Sequence, residues 1–556
     1  MSPTAIPGNL ILQSPTANDP LLDLNTQPSL DLQFATSKTL NDRVSGLPLV
    51  DHQRDVSSGK SAGTYVDSTG VIRTSKANLL TYSSVDTPGW AAAGTLPTVI
   101  WNGFSDPSGL NEAAKITFAN SSNSQIQQSV STFASGVTYT YSLYVRTLSG
   151  TQDFLLFRFD GADYSQQFTA TTSWQRFQWT FAGAGGLAPS VRVRCVSPVG
   201  GEVLFVWGAQ LEEGSTASPY IKTTNLPSAA PRFDHDPTTG ESLGLLIEEG
   251  RTNLITYSED LSQWTSIDNA TLSTAISTPG STAASRLTST TSSTWARAWA
   301  PLYSGSGADT VGSVYLRGDT PFTASLRIRY DNVQVSIQNV NVTTDWQRFS
   351  LNATGSFTGG ADLMVFLNAD GVSGTSVSGR TLDIWGAQLE AGDFPTSYIP
   401  TSGSTVPRAA DVASITGSNF SRWYNQGEGT ISFRVKSPTN PVQYPVVIDD
   451  STNNNRHLFA ISNSYQYQIR VSGSTEAQMD AGSVLSPFNS IAGGYKTNNT
   501  AVALNGSVNV DNIASIPTCN RLSIYRYSGV TFNGHISRLT YYPYRLPDAT
   551  LQEITS

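Results

Sequence analysis

Apolar and polar residues alternate along much of this chain. In "VTYTYSLYV", Val137, Tyr139, Tyr141, Leu143 and Val145 fall on one side and Thr138, Thr140, Ser142 and Tyr144 on the other. A period of two marks a strand with one face in a core. "LLFRF" (Leu155, Phe157, Phe159) and "LRIRY" (Leu326, Ile328, Tyr330) repeat the pattern, and "SLDLQF" places Leu30, Leu32 and Phe34 on one face. From about residue 401, "GTISFRVKS", "YPVVID", "HLFAIS", "YQYQIRVSG", "AVALNGSVNV", "RLSIYRYSG" and "GHISRLTYYP" read as further strands between turns. The Asn-Gly of "LNGS" predicts a tight hairpin. Only "DATLQEIT", after Pro547, predicts a helix. Many short strands with turns between them argue for sandwiches or jelly rolls.

The pattern is written twice. "NLLTYSSVDTPGW" (from Asn78) matches "NLITYSEDLSQW" (from Asn253), and "YSLYVRTLSG" (from Tyr141) matches "GSVYLRGDT" (from Gly312). "TTSWQRFQWTF" (from Thr171) matches "TTDWQRFSLNA" (from Thr343), and "LFVWGAQLEEGSTASPYIKT" (from Leu204) matches "LDIWGAQLEAGDFPTSYIPT" (from Leu382). Four landmarks in one order signify a duplicated domain. The fold class read from the sequence is therefore all-β: tandem β-sandwich or jelly-roll domains with an extended N-terminal arm. Residues 1–77 form the arm and a connecting β segment, with prolines at 3, 7, 15, 20 and 28 opposing helix and central strand alike. Residues 78–224 form one jelly roll, 225–252 a second connecting segment, 253–400 the other jelly roll and 401–556 a third, different sandwich. WGAQLE is read as the closing strand of each unit, with Trp207 and Trp385 in or near the core and the tail after it leading out of the domain.

Composition narrows the function. The 556 residues include 13% charged side chains and carry a net charge of −9. Without basic patches to neutralise phosphates, a nucleic-acid partner is not expected. No apolar run approaches the ~18 residues of a membrane span, so membrane insertion is not expected either, and the N-terminus does not read as a signal peptide. Cys195 and Cys519 stand alone, so neither a disulfide framework nor a cysteine metal cluster is expected.

Isolated candidates for chemistry read better as structure. Glu212 and Glu390 are each a lone acid, whereas acid–base work on glycosides uses two. Asp234, His235 and Asp236 are adjacent on a strand, so they point to alternate faces and do not converge. "SGKS" (Ser58–Ser61) lacks the glycine a phosphate loop needs, because Arg54 stands there.

"TYVDSTGVIRTS" (Thr64–Ser75), "PRFDHDPTTGESLGLLIEEGRTNLITYSED" (Pro231–Asp260) and "WGAQLEAGDFPTSYIPTSGSTVPRAADV" (Trp385–Val412) resemble segments of tailed-phage virion fibre proteins, of tail-fibre or head-spike type. That family carries jelly rolls similar to carbohydrate-binding modules. "FNGHISRLTYYPYRLPDATLQEI" (Phe532–Ile554) resembles a concanavalin-like lectin/glucanase sandwich of the laminin-G type. The resemblance implies a virion protein assembled in the host cytoplasm, anchored to other virion proteins through its N-terminal arm. It implies adsorption to host-surface polysaccharide and a homo-oligomer, in phage fibres a trimer. An architectural or decoration protein without glycan binding and a glycan depolymerase are the alternatives. The acidic E-x-D-x-x-E run of concanavalin-like glucanases is missing from residues 401–556, and Asp449 and Asp450 are adjacent rather than alternate, so the expectation is no enzyme. In similar proteins the "YVD…G" segment runs almost directly into "PRFDHDP". The first jelly roll thus looks inserted, and residues 30–77 and 225–252 are expected to pack together.

Sugar binding needs exposed rings and polar groups. The candidates are Tyr144 and Arg146, their counterparts Tyr315 and Arg317, Arg327 and Arg329 on the following strand, and the adjacent Trp423 and Tyr424. No cofactor is expected. A structural calcium is left open: Glu259, Asp260 and Asp383 are the nearest acids in the second jelly roll, whereas the first has Ser83, Ser84 and Val206 there.

Overall fold

Three separated stretches of chain build one sandwich, and a jelly roll is inserted at each of the two breaks between them. The computed structural model describes residues 27–556 apart from 86–88, 276, 281, 293, 372–376, 438–441, 484–487, 513–514, 525 and 528–529. The expected arm thus lies almost wholly outside the described residues.

One sheet of the central sandwich runs Arg232–His235, Ser242–Ile247, Gly534–Tyr542, Glu428–Lys436, Asn489–Lys496, Thr500–Leu504, Ser507–Asp511. Leu30–Leu32 pairs antiparallel with Gly534–Tyr542, Leu30 opposite Tyr541, beside the stretch paired with Ser242–Ile247. The second sheet runs Asp51–Gln53, Val412–Thr416, Arg521–Ser523, Gln443–Asp449, Arg456–Ile461, Ser464–Val471, Ser474–Ser483. The third sandwich is therefore not confined to residues 401–556. Strands from both connecting segments complete its sheets because their apolar faces have no other core. Leu30, Leu32, Phe34, Leu245 and Ile247 are fully buried among Phe433, Ile536 and Leu539, each burial contributing roughly 1.5–3 kcal/mol. Residues 30–77 and 225–252 do pack together: Ala77–Asn78 pairs with Ser228–Ala229, and Val66 N–H donates to Asp234. The hairpin at Asn505-Gly506 has both residues at positive φ, and the terminal helix spans Asp548–Thr555.

The inserted modules share one topology. The first has sheets ordered Gln175–Ala182, Thr138–Thr147, Val203–Glu213, Ala113–Thr117, Thr98–Phe104 and Asp163–Ala170, Gln152–Phe159, Ser190–Cys195, Gln125–Ser129, Ala91–Ala93. The second repeats that order with Gln347–Ala353, Thr310–Arg317, Thr381–Ala391, Ser285–Ser289, Ala270–Thr274 and Val333–Val342, Phe322–Tyr330, Ala361–Phe366, Arg297–Trp299, Ser266–Asp268. Even the irregularities match. The closing strand bulges opposite Ser142/Tyr144 in one module and Ser313/Tyr315 in the other, so Tyr144 faces Trp207 and Tyr315 faces Trp385. The bulge needs left-handed backbone at Gly208 (φ 66°) and Gly386 (φ 62°), which explains the glycine of WGAQ.

The tail after WGAQLE does not leave the module directly. It folds back over the outer side of the closing strand. Tyr220 packs on Trp207 and Tyr398 on Trp385, at 4.4 and 4.6 Å between ring centroids. Their hydroxyls meet Ser83 and Ser258, both at 2.6 Å. This cover explains why Thr140 and Ser142, on the polar side of the strand Thr138–Thr147, are also fully buried. Asn78 and Asn253 clasp the ends. Each amide N–H₂ donates to carbonyls of the closing strand and the tail (Ala209 and Ile221; Ala387 and Ile399). Each side-chain oxygen accepts from two backbone N–H groups. Glu212 and Glu390 accept from the tail, at Ser218 and Thr396.

In the strand Gln152–Phe159 the alternation runs opposite to expectation. Phe154 and Leu156 enter the core, and Phe157 and Phe159 face outward.

Candidate functional site

Where the three stretches of the central sandwich meet, each supplies one buried arginine: Arg54, Arg232 and Arg408. Asp411 accepts Arg54 Nη1 at 2.5 Å and Arg232 Nη2 at 2.6 Å, and Glu248 accepts Arg232 Nη1 at 2.6 Å. Further donors reach backbone carbonyls, Arg54 to Ala62 and Ala230 and Arg408 to Glu249, while the buried Nε atoms of Arg232 and Arg408 have no acceptor among the described residues. Burial alone would raise both carboxyl pKa values, but the guanidiniums win. Arg408 and Arg232 bring Glu248 down to about 2, and Arg232 and Arg54 hold Asp411 well below the usual range. The cluster is sealed from solvent, so it ties segments together rather than meeting a ligand.

The two sheets of each jelly roll have different surroundings. In the second module the sheet containing Thr310–Arg317 faces the central sandwich: Trp385, Tyr398, Tyr315 and Trp346 pack with Ile72 and Val66 of the hairpin at 64–74. In the first, Trp207 and Tyr220 border a cleft of about 390 Å³ shared with Tyr65, Phe233 and Lys222. The opposite sheets carry arginine and aromatic side chains outward.

The open sheet of the second module is the richer. Alternation in "STWARAW" turns Ala296 and Ala298 into the core, and leaves Trp295, Arg297 and Trp299 on the outer side. Arg297 lies over Trp295 at 4.2 Å, Arg329 over Trp299 at 4.3 Å and Arg327 over Phe366 at 4.6 Å. Asp268 holds Arg297 at 2.7 Å and Asp362 holds Arg329 at 2.7 Å. These ion pairs and ring contacts stay within the sheet. Trp295 and Trp299 remain half-buried, so part of each indole is available. The first module has a simpler version: Arg192 over Phe159 (4.6 Å) and Arg194 over Phe157 (4.1 Å), with Asp163 3.4 and 3.7 Å from the two guanidiniums.

The sequence candidates divide accordingly. Arg327 and Arg329 belong to this open face. Tyr315 and Arg317 do not, because their strand lies in the other sheet; the chain crosses between sheets from Thr310–Arg317 to Phe322–Tyr330, so the four do not line one surface. Tyr315 is packed on Trp385, and Arg317 is held by Asp383 at 3.3 Å and Ser277 at 2.7 Å. Tyr144 likewise packs on Trp207. Arg146 covers Phe205 (3.9 Å) and Trp174 (5.3 Å). Trp423 and Tyr424 are only 3% and 8% exposed. The short helix Gly417–Ser421 turns them inward against Phe420 and Tyr541, where neither offers a ring face. Trp295, Trp299 and Phe366 were not among the sequence candidates, although the W-x-R-x-W spacing was there to be read.

Among the described residues no three His, Cys, Asp or Glu side chains converge as a metal site. Asp383 is taken by Arg286 and Arg317, Glu259 accepts from Tyr398, and Asp260 caps a helical turn. Asp234 meets His535 at 2.8 Å, while His235 meets the Val66 carbonyl and Asp236 caps a turn. Asp449 is paired with Arg521.

No protein-family model matches the chain, and no curated protein matches it significantly. Solved structures similar to it include carbohydrate-binding modules. The tandem CBM22-1–CBM22-2 of Paenibacillus barcinonensis Xyn10C is 12% identical, covering 60% of this chain and 99% of that one, with a TM-score of 0.21. The C-terminal family 22 module of Clostridium thermocellum Xyn10B is 16% identical over 26% of this chain and 94% of that one (TM-score 0.22). The CBM40 of Ruminococcus gnavus IT-sialidase, bound to α2,3 sialyllactose, is 16% identical over 24% and 84% (TM-score 0.22). At those values the likeness carries no argument about ligand.

Proposed function

We propose that this chain is a non-catalytic glycan-binding protein that presents the open faces of its jelly rolls to polysaccharide. One observation carries the reading: Trp295, Arg297 and Trp299 alternate outward beside Arg327 and Arg329. Indole faces stack on sugar rings, and guanidiniums donate to hydroxyls in a fixed fork. The acids that invite a catalytic reading are occupied by structural partners. Together with the resemblance of its motifs to tailed-phage fibres, this supports a virion fibre that adsorbs to host-surface polysaccharide as a homo-oligomer, a trimer in that setting. Several weak sites on one particle would gain affinity through effective concentration.

The test is a glycan array that includes bacterial surface polysaccharides, probed with the full chain and with Trp299→Ala. Binding lost in the variant supports the proposal. An array on which the full chain binds no glycan removes it in favour of an architectural role. Release of reducing sugar from a bound polysaccharide would replace it with a depolymerase.

A further inference from the structure

Of the three arginines that the described residues place on the open face of the second jelly roll, only Arg327 meets no carboxylate among those residues. Arg297 is neutralised by Asp268 and Arg329 by Asp362. Burial, and then the charges of Arg297 and Arg329 themselves, hold the Arg327 guanidinium below its ordinary pKa. Its Nε is buried with no hydrogen-bond acceptor among the described residues, as are those of Arg232 and Arg408, so it is the terminal nitrogens that are left to meet a ligand. Asp370, the acid of the adjoining turn, is taken up by Asn339 at 2.7 Å. The head group is nevertheless held in place. Phe366 lies beneath it, and Gly371 (φ 56°) approaches so closely that a Cβ there would sit 2.7 Å from Nη2. A neutral side chain could cover Phe366 without placing a third positive charge beside two others, so packing alone does not explain this residue.

We infer that this face takes an anionic saccharide, bearing a carboxylate or sulfate, whose charged group is met by Arg327 while the neighbouring indoles carry the sugar ring. The inference rests on the glycan-binding reading above and names the class of glycan. A guanidinium binds carboxylates and oxyanions in the same bidentate manner. Arg327 is thus a binding residue, whereas Arg297 and Arg329, already paired, frame it.

The experiment is affinity electrophoresis of the full chain through gels containing matched polymers: polygalacturonate against its methyl ester, and dextran sulfate against dextran. Arg327→Gln and Arg327→Lys are run alongside, with thermal melts to show that both fold. Retardation by a charged polymer and not by its neutral partner, weakened roughly tenfold or more in Arg327→Gln and by less in Arg327→Lys, which keeps the charge and loses the fork, supports the inference. Which charged polymer retards the chain identifies the anion. Retardation that Arg327→Gln leaves unchanged overturns it, because the charge is then read elsewhere. So does absence of retardation by both charged polymers in a chain that binds neutral glycans on the array, an outcome that leaves glycan binding standing. A chain that binds no glycan in either assay overturns both.

Discussion

Arg232 and Asp411 are 179 residues apart in sequence and meet at 2.6 Å, with both side chains fully shielded from water. An entire jelly roll is looped out between them. Breaking such a pair by removing one partner leaves an uncompensated buried charge, at a cost of about 3–5 kcal/mol. Asp411→Ala is therefore expected to lower global stability by about that amount, because it also strands Arg54. Urea unfolding followed by tryptophan fluorescence measures it. A loss under about 1 kcal/mol, the scale of an exposed pair, would show that the cluster does not hold the three segments.

The two modules should be removable. Ala77–Asn78 and Ser228–Ala229 are paired neighbours, so the first jelly roll starts and finishes at one place. Replacing residues 79–226 with a short glycine-serine linker is expected to leave a folded central sandwich and a folded second module. Removing residues 27–77 is expected to abolish folding of the central sandwich, since it takes away Leu30, Leu32, Phe34 and Arg54 together. Limited proteolysis and mass spectrometry distinguish the two outcomes.

Asn78 and Asn253 clasp their modules through equivalent bonds. Asn253→Ala leaves buried backbone groups unpaired, with an expected cost of roughly 1–3 kcal/mol confined to the second module. Hydrogen exchange should speed up in residues 253–400 and stay unchanged in residues 78–224. Uniform acceleration across the chain would contradict modular clasping.

His457 is enclosed by Tyr467 and Tyr495, and burial pushes its pKa down to about 3. The unfolded chain therefore binds a proton below about pH 6.5 that the folded chain refuses. Stability from this residue is complete above about pH 6.5 and falls by up to roughly 1.4 kcal/mol per pH unit as the solution is acidified towards pH 3. His457→Phe keeps the aromatic stacking and loses the bond to Tyr467. Its stability should be lower at pH 7.5 yet fall less steeply between pH 6 and 4. Parallel stability curves for the two proteins would refute this account.

The repeated landmarks made the architecture of the jelly rolls legible, because WGAQLE and its asparagine partner perform the same packing task twice. Period-two alternation found the strands, but not always their inner face. In "LLFRF" both sides are apolar, since Phe157 and Phe159 serve as platforms for arginines. The buried arginine cluster was illegible because its members come from three distant segments. Arg54 stood out only as a residue that spoils a phosphate loop. Trp423 and Tyr424 stand among polar neighbours, where adjacent aromatics more often cover the end of a sandwich than bind a ligand, and a single helical turn does rotate them inward. The open face was half legible: Arg327 and Arg329 showed on one strand, but their sheet partners come from strands some thirty to forty residues away on either side.

The pairing of Leu30–Leu32 with Gly534–Tyr542 has a mechanical consequence. A pull applied to the chain immediately outside that pairing, before Leu30 and after Tyr542, first meets three residue pairs. Both jelly rolls lie within the loop that this pairing closes, so tension reaches them only after it has opened. Because the strands are antiparallel and loaded from the same end, they unzip bond by bond rather than sliding past each other. This edge pairing thus opens before load reaches the modules, and they keep their shape while the connection lengthens.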